Sequence, residues 1–439
     1  MKKYEKYKDS GIEWIGEIPE HWGVKKIKHR CYVKARVGWK GLKSDEFLTE
    51  GYSYLVTGSD FKKDTVNWNE CYHIDKERYD EDPFIQLKEK DLLITKDGTI
   101  GKLAIVKGID KPACLNSGIF VVRSINKDFT TEFLFWILKS NIFIRFNDYT
   151  SYGSTIQHLY QNVFVEFNFP FPTLEEQTAI ATYLDRKTAK IDQLVEAKKR
   201  LIELYHQEKT ALINQAVTKG INPKAKMKDS GIEWLGEIPE HWEVKRLSWC
   251  FSKIGSGTTP KAGSDEYYLN GNINWLLTGD LNDGEVNQTS KKITSKAIGD
   301  HSSLKEYPVD SIVMAMYGAT IGKLGILKVP TTVNQACCVL SNPTHLNYLF
   351  AFYLLLGARQ EIINMSYGGG QPNISQELIR SFRVQVPPLE EQQSIVHHIE
   401  TECSRIDTKI ERTQRLIELL AEYRTALISE VVTGKVKVV

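Results

Sequence analysis

One fifteen-residue segment occurs twice in this chain. Residues 8–22 read KDSGIEWIGEIPEHW and residues 228–242 read KDSGIEWLGEIPEHW, so Ile15 against Leu235 is the single difference. An internal repeat constrains architecture before any other signal, because two copies of one unit fold alike and bury matching faces. The repeat returns in the same order further on. Gly98-Thr99-Ile100-Gly101-Lys102-Leu103 answers Ala319-Thr320-Ile321-Gly322-Lys323-Leu324, and Ser151-Tyr152-Gly153 answers Ser366-Tyr367-Gly368. Pro172-Thr173-Leu174-Glu175-Glu176-Gln177 answers Pro387-Pro388-Leu389-Glu390-Glu391-Gln392. Arg200-Leu201-Ile202-Glu203-Leu204 answers Arg415-Leu416-Ile417-Glu418-Leu419, and both halves close on Val-Thr, at Val217-Thr218 and Val432-Thr433. Between these motifs the halves scarcely align. Neutral drift after an old duplication would have blurred residues 8–22 as well. The pattern therefore reads as a frame that must match and an insert that must differ.

The shared close of each half is helical. Ile180, Leu184, Ile191, Leu194, Leu201, Tyr205 and Leu212 recur at steps of three, four and seven, widened by Val195, Ile202 and Ile213. The second copy has Ile395, Ile399, Ile406, Ile410, Leu416, Leu420, Tyr423 and Leu427. Pro172 and Pro387-Pro388 stop either helix from starting earlier, and Thr173 with Glu176 fits a capping box. About forty helical residues span roughly 60 Å, and a lone helix that long leaves its stripe wet. The nearest partner is its own duplicate. The expected fold is α+β: two halves related by a pseudo-two-fold axis, each an α+β domain followed by a long helix, the two helices pairing as an antiparallel coiled coil. The segment after the second helix should then lie near residue 8.

The expected divisions follow. Residues 1–22 are a shared opening, 23–173 a first variable domain, 174–220 its helix, and 221–242 a linker with the second shared opening. Residues 243–388 are a second variable domain, 389–434 its helix and 435–439 a tail. Within the variable domains, Leu92–Thr95, a turn, and Thr99–Val106 read as strand, turn, strand, with Ser311–Ala315 and Ala319–Leu327 as counterpart. Glu132–Arg145 and His345–Ile363 read as buried helices.

The composition, 41% hydrophobic and 26% charged, is that of a globular protein, and the net charge of +2 neither announces nor excludes a nucleic-acid partner. Positive charge clusters at Lys25, Lys26, Lys28, Arg30, Lys34, Arg36 and Lys40, more sparsely at Lys245, Arg246, Lys253 and Lys261. A solvated face is the alternative reading of such runs. Lys96, Lys102 and Lys323 flank turn glycines, where backbone can approach phosphate. Gln157, Gln371 and Asn373 lie in polar loops, where amides suit adenine edges or plain loop capping. Together with Lys261 they are the candidate DNA contacts.

Catalytic machinery is not legible. Gly318 to Leu324 has the wrong spacing for a phosphate loop and Leu where Ser or Thr must hold magnesium. No Asn/Asp-Pro-Pro-aromatic run occurs, and the His397-His398 pair lacks metal-ligand spacing. The seven cysteines are odd in number and scattered, which suits reduced thiols in a cytoplasmic protein. No apolar run is long enough to span a membrane, and Met1-Lys2-Lys3 leads into no signal-peptide core. No metal, cofactor or membrane is expected.

The duplicated Gly-Ile-Glu-Trp-x-Gly-Glu-Ile-Pro-Glu-His-Trp, the duplicated Pro-x-Leu-Glu-Glu-Gln and the Gly-x-Ile-Gly-Lys type of hairpin resemble the specificity subunit of type I restriction–modification systems. The resemblance covers nearly the whole chain. It implies two target-recognition domains, each reading half of an asymmetric, bipartite double-stranded DNA site, with the helices fixing the gap. It implies two methyltransferase subunits and two motor-nuclease subunits as partners, with S-adenosylmethionine held by the methyltransferase. Candidate methyltransferase-docking residues on the repeated frame are Trp14, Trp22, Glu175, Glu176 and Gln177, and Trp234, Trp242, Glu390, Glu391 and Gln392. The alternative is a non-catalytic assembly scaffold that does not read DNA. Divergence on a repeated frame argues against it.

Overall fold

The duplicated opening folds into the same hairpin twice. Tyr7–Asp9 pairs antiparallel with Glu17–Pro19, and Met227–Asp229 pairs with Glu237–Pro239 in the same register. Its sequence explains the turn. Asp9 accepts the amide N–H of Gly11 at 3.0 Å and Ser10 accepts that of Ile12 at 3.2 Å, while Gly11 and Gly16 both hold φ of +71°. Asp229 and Ser230 repeat both bonds. These positions tolerate little else, because a left-handed φ is strained for residues with a Cβ.

The coordinates are a computed structural model, describing residues 2–36, 42–43, 46–150, 158–365 and 373–438. Lys40, Ser151-Tyr152-Gly153, Gln157, Ser366-Tyr367-Gly368 and Gln371 lie outside the described residues. The chain divides into two units: residues 1–199 with 414–439, and residues 200–413.

In the first unit, Cys31–Lys34, Ile119–Ser124, Leu92–Thr95, Leu103–Ile105, Thr65–Val66 and Phe61–Lys62 form a six-stranded sheet in that spatial order. Ala113–Leu115, Ser53–Val56 and Tyr72–Ile74 form a three-stranded sheet. In the second, Phe251–Gly255, Cys337–Pro343, Ile312–Ala315, Leu324–Leu327 and Gly284–Val286 form a five-stranded sheet, with Lys291–Ile293, Ile273–Leu276 and Thr332–Val333 beside it. The strands read from sequence as hairpins pair antiparallel, Leu103 opposite Ile94 and Leu324 opposite Met314, but the second strands span only Leu103–Ile105 and Leu324–Leu327, because Thr99 to Lys102 and Ala319 to Lys323 belong to the turns. Gly23–Lys26 pairs with Asn168–Phe171, and Glu243–Arg246 with Arg383–Val386. Each variable domain is thus closed by its own first and last strands before the long helix begins.

The helices run Leu174–Lys219 and Leu389–Val432. The first is capped as the sequence indicates: Thr173 Oγ1 accepts the Glu176 amide at 3.3 Å and Glu176 Oε2 accepts the Thr173 amide at 3.1 Å. The second lacks the threonine, yet starts at the matching leucine. The helices pack on each other, antiparallel: Lys209 Nζ lies 2.8 Å from Asp407, and Lys409 lies over the ring of Tyr205. In the first unit Arg424 bonds Asp192 at 3.0 Å.

The apolar stripe is buried at its ends and wet in its middle. Ile180, Leu184 and Ile191 join Leu427, Ile428, Val431 and Val432 in the first unit's core, and Ile395, Ile399 and Cys403 join Ile213, Ala216 and Val217 in the second's. Leu194, Leu204, Leu416, Leu419 and Tyr423 are exposed. Two helices alone cover one face of each other, and the variable domains cover the rest only where they reach. The segment after the second helix does lie against the opening hairpin: Tyr7 Oη donates to the Gly434 carbonyl at 3.1 Å, and the Lys437 amide to that of Lys2 at 2.9 Å.

Two helical regions also differ from the sequence reading. The helix expected over 132–145 is two helices, Thr131–Leu138 and Asn141–Thr150, and that over 345–363 is Tyr348–Gly357 followed by Arg359–Asn364. Both breaks occur against the far end of the other half's long helix. The Asn141 amide donates to Ser429 Oγ at 3.0 Å, and a Cβ on Gly357 would sit 2.6 Å from Asn214 Oδ1. Periodicity cannot register a corner imposed by docking.

Candidate nucleic-acid interface

Each unit gathers polar and basic groups around one hairpin, held by the same backbone bonds. The Gly101 amide closes the first hairpin on Thr95 O at 2.9 Å, and the Gly322 amide closes the second on Ala315 O at 2.8 Å. Gly98, Gly101, Gly318 and Gly322 all hold positive φ, so the turns need their glycines. Lys102 and Lys323 leave these turns exposed, with no ionic partner among the described residues. Lys96 differs: its ammonium lies 3.4 Å from Asp97, and its side chain is 18% exposed.

Other loops converge there. The Lys96 amide donates to Gly118 O at 2.9 Å, and the Leu159 amide to Lys96 O at 3.0 Å. In the second unit the Met316 amide donates to Ala336 O and the Ile374 amide to Met316 O, both at 2.8 Å. Asn373 is therefore brought to the hairpin, and it is exposed. His158 Nδ1 contacts the Asp97 carboxyl, and its ring lies 4.5 Å from that of the exposed Tyr160. Thr259 Oγ1 donates to Gln335 Oε1 at 2.6 Å, and Trp275 Nε1 to Thr258 O at 3.2 Å, which fixes the loop carrying exposed Lys261. Sequence reasoning singled out neither His158 nor Gln335, which fold beside these hairpins. A signal existed: Val56-Thr57-Gly58-Ser59-Asp60 resembles Leu276-Leu277-Thr278-Gly279-Asp280, and Leu115-Asn116-Ser117-Gly118 resembles Val333-Asn334-Gln335-Ala336.

The basic run at residues 25–36 is largely spent inside the fold. Lys26 and Lys28 both pair with Glu166, whose carboxyl they hold down at about 2. Arg30 pairs with Asp128 at 2.5 Å, and Arg36 is buried, donating to the Leu115 carbonyl. In the second unit Lys245 pairs with Glu243 at 2.9 Å. All seven cysteines are free and buried, and burial pushes the Cys250 thiol up to about 11 and that of Cys338 to about 12. Among the described residues no group of His, Cys, Asp and Glu is placed to hold a metal, and no helix is long and apolar enough to cross a membrane.

The repeated frame residues form an internal joint. Glu176 Oε1 accepts Tyr4 Oη at 3.1 Å and Trp22 Nε1 at 3.1 Å, and lies 2.9 Å from His21 Nε2. Burial opposes ionisation of Glu176, but bonds from His21, Trp22 and the Thr173 amide outweigh it and hold the carboxyl below its ordinary range. Gln177 Oε1 accepts the Thr130 amide at 2.9 Å, tying the variable domain's helix to the long one. The second copy repeats the joint: Trp242 Nε1 donates to Glu391 Oε2 at 3.1 Å, and Gln392 Oε1 accepts the Asn347 amide at 2.7 Å. Trp22, Glu176, Gln177, Trp242 and Gln392 are consequently buried. Of the residues read as docking candidates, Glu175 and Glu390 are exposed, and Trp14, Trp234 and Glu391 are half-buried.

Comparison with known proteins agrees with this duplicated arrangement. The family described as the type I restriction modification DNA specificity domain matches twice, over residues 19–204 and 239–420. The chain is similar to the type I restriction enzyme MjaIX specificity subunit of Methanocaldococcus jannaschii, 26% identical over 97% of this chain and 95% of that one. It is 21% identical to the EcoKI specificity subunit of Escherichia coli over 90% of this chain and 84% of that one. Among solved structures, the HsdS subunit from Thermoanaerobacter tengcongensis shares the fold, with a TM-score of 0.61 at 15% identity over 95% of this chain and 98% of that one. A chain from a study of complex assembly in a type I R-M system aligns with a TM-score of 0.69 at 14% identity, over 95% and 99% of the two chains.

Proposed function

Because the chain belongs to the family of type I restriction–modification DNA specificity proteins, a non-catalytic subunit of such a complex, we propose that its two variable domains each read one half of an asymmetric, bipartite duplex target. The observation that carries this reading is the contrast within the chain. His21, Trp22, Glu176 and Gln177 of the joint recur as His241, Trp242, Glu391 and Gln392, and the hairpins recur with exposed lysines, while the loops around them differ. Lys102, Lys323 and Lys261 suit phosphate contacts that set register without reading sequence, and neighbouring amides and carboxylates suit base edges. The long helices set the number of unread base pairs between the half-sites. At about 1.5 Å per helical residue against about 3.4 Å per base pair, helix length changes that number and also rotates one domain against the other.

The frame docks two methyltransferase subunits, one per copy, through its exposed residues such as Glu175 and Glu390, and motor-nuclease subunits join that assembly. With a net charge of +2, the chain by itself has little excess charge for phosphate neutralisation. Tight specific binding then needs the methyltransferase partners. The test is a chimera in which residues 243–386 are replaced by a second copy of 23–171. Cells expressing it with its partners should methylate an inverted repeat of one half-site. Sites that stay asymmetric would overturn the assignment of base reading to the variable domains, and a complex indifferent to sequence would favour a pure scaffold.

A further inference from the structure

The two hairpin clusters share one backbone skeleton, which allows their side chains to be matched position by position although the intervening sequences do not align. Five pairs of bonds define it. Thr95 N to Lys102 O at 3.0 Å matches Ala315 N to Lys323 O at 2.9 Å, and Gly101 N to Thr95 O matches Gly322 N to Ala315 O. Lys96 N to Gly118 O matches Met316 N to Ala336 O, and Leu159 N to Lys96 O matches Ile374 N to Met316 O. Asn116 N to Val56 O at 2.9 Å matches Asn334 N to Leu276 O at 3.1 Å. The skeleton makes Lys102 equivalent to Lys323. It makes Asp97 equivalent to Tyr317, Ser117 to Gln335, and His158 to Asn373.

The two kinds of position behave differently. Lys102 and Lys323 are identical and exposed, although no ionic partner among the described residues requires them. The other three pairs change chemistry completely at places the backbone holds still. From these observations we infer that Asp97, Ser117 and His158 in the first unit, and Tyr317, Gln335 and Asn373 in the second, are the side chains that discriminate bases. Lys102 and Lys323 anchor phosphates. This inference rests on the reading that the variable domains contact DNA.

Geometry supports the division. Gln335 is exposed between two buried neighbours, Asn334 and Ala336. Asn334 Oδ1 accepts the Ala336 amide at 3.1 Å, which locks the turn, and Thr259 holds the Gln335 oxygen. The Gln335 amino group and the Asn373 amide have no partner among the described residues. Fixed amides of this kind pair with adenine N7 and N6. In the first unit Asp97 offers only acceptor atoms, held between Lys96 and His158. A carboxylate there accepts from an exocyclic amine and repels guanine O6. A Cβ on Gly118 would lie 3.7 Å from that of Asp97, so Ser117 and Asp97 address adjoining ground. Met316 is left out because it is buried, and Tyr317 is partly packed on the core, its hydroxyl without a partner among the described residues.

The experiment uses the full chain assembled with its methyltransferase partners, with methylated sites mapped by sequencing. Gln335→Arg should change one position in one half-site toward guanine, and Ser117→Gln should change only the other half-site. A wild-type motif in both variants overturns the proposal. Should either variant abolish methylation, Gln335→Ala is tested for binding to duplexes randomised across one half-site. Discrimination should collapse by about tenfold at one position. Equal weakening at every sequence would make Gln335 an anchor and overturn its role as a reader. Exchange of the whole variable domain separates the two levels. If that exchange changes the motif while the single substitutions do not, the residue assignment alone falls. If neither changes it, base reading by these domains falls.

Discussion

Trp22 donates its indole N–H to Glu176 across 154 residues of sequence, at 3.1 Å, and Trp242 does the same to Glu391 across 149. The two clasps are not equal. Glu176 is 8% exposed and also receives Tyr4, Thr173 and the contact from His21, whereas among the described residues Glu391 receives Trp242 and His241. Lys224 stands where Tyr4 does, and Pro388 where Thr173 does. Glu176→Ala strands more buried donors. It should cost about 2–3 kcal/mol against about 1 kcal/mol for Glu391→Ala, since an unpaired buried polar group loses its full desolvation cost. Denaturant unfolding of the two variants measures this, and equal losses would contradict it.

The first clasp should loosen in acid. The Glu176 carboxyl titrates below its ordinary value of 4.5 in the folded chain. A depressed carboxyl contributes stability that is present above the ordinary value and is lost as pH falls through the folded one. Protection of the amides of residues 7–19 against hydrogen exchange, taken relative to the rates of an unstructured chain at the same pH, should therefore fall below pH 4.5, and Glu176→Gln should flatten that dependence.

Lys102→Ala and Lys323→Ala should each weaken binding of the assembled complex without changing its target. Each removes one exposed cation from a turn. The slope of log affinity against log salt should become shallower by about 0.9 for each phosphate that is no longer neutralised. A changed methylation motif would instead make these lysines base readers.

Gly434→Ala should destabilise the chain well beyond Gly98→Ala. Both glycines hold left-handed φ, of +75° and +67°. A Cβ at Gly434 would lie 2.5 Å from Pro19 and 3.0 Å from Trp22, while at Gly98 it would meet nothing within 4 Å. The conformational penalty, about 1–2 kcal/mol, applies to both, and the collision to one. Thermal unfolding of the two variants separates them.

The repeat, the order of its parts and the helix limits were all legible in the chain, because prolines, caps and a seven-residue stripe act over short distances. So were the turn glycines of the hairpins, although the positive φ that requires them appears only in the fold. The purpose of the repeated motifs was not. Trp22, Glu176 and Gln177 look like surface signals when read along the sequence, and tertiary structure makes them one buried joint. Lys26, Lys28 and Arg30 read as a basic face until Glu166 and Asp128 arrive from more than ninety residues away to neutralise them. Gln335 and Thr259 were ordinary loop residues until folding set them 2.6 Å apart. Local sequence determines where elements begin, end and turn, because those choices depend on neighbours within a few residues. Which charges are left unpaired, and which side chains share a surface, depends on partners that only the closed chain brings together.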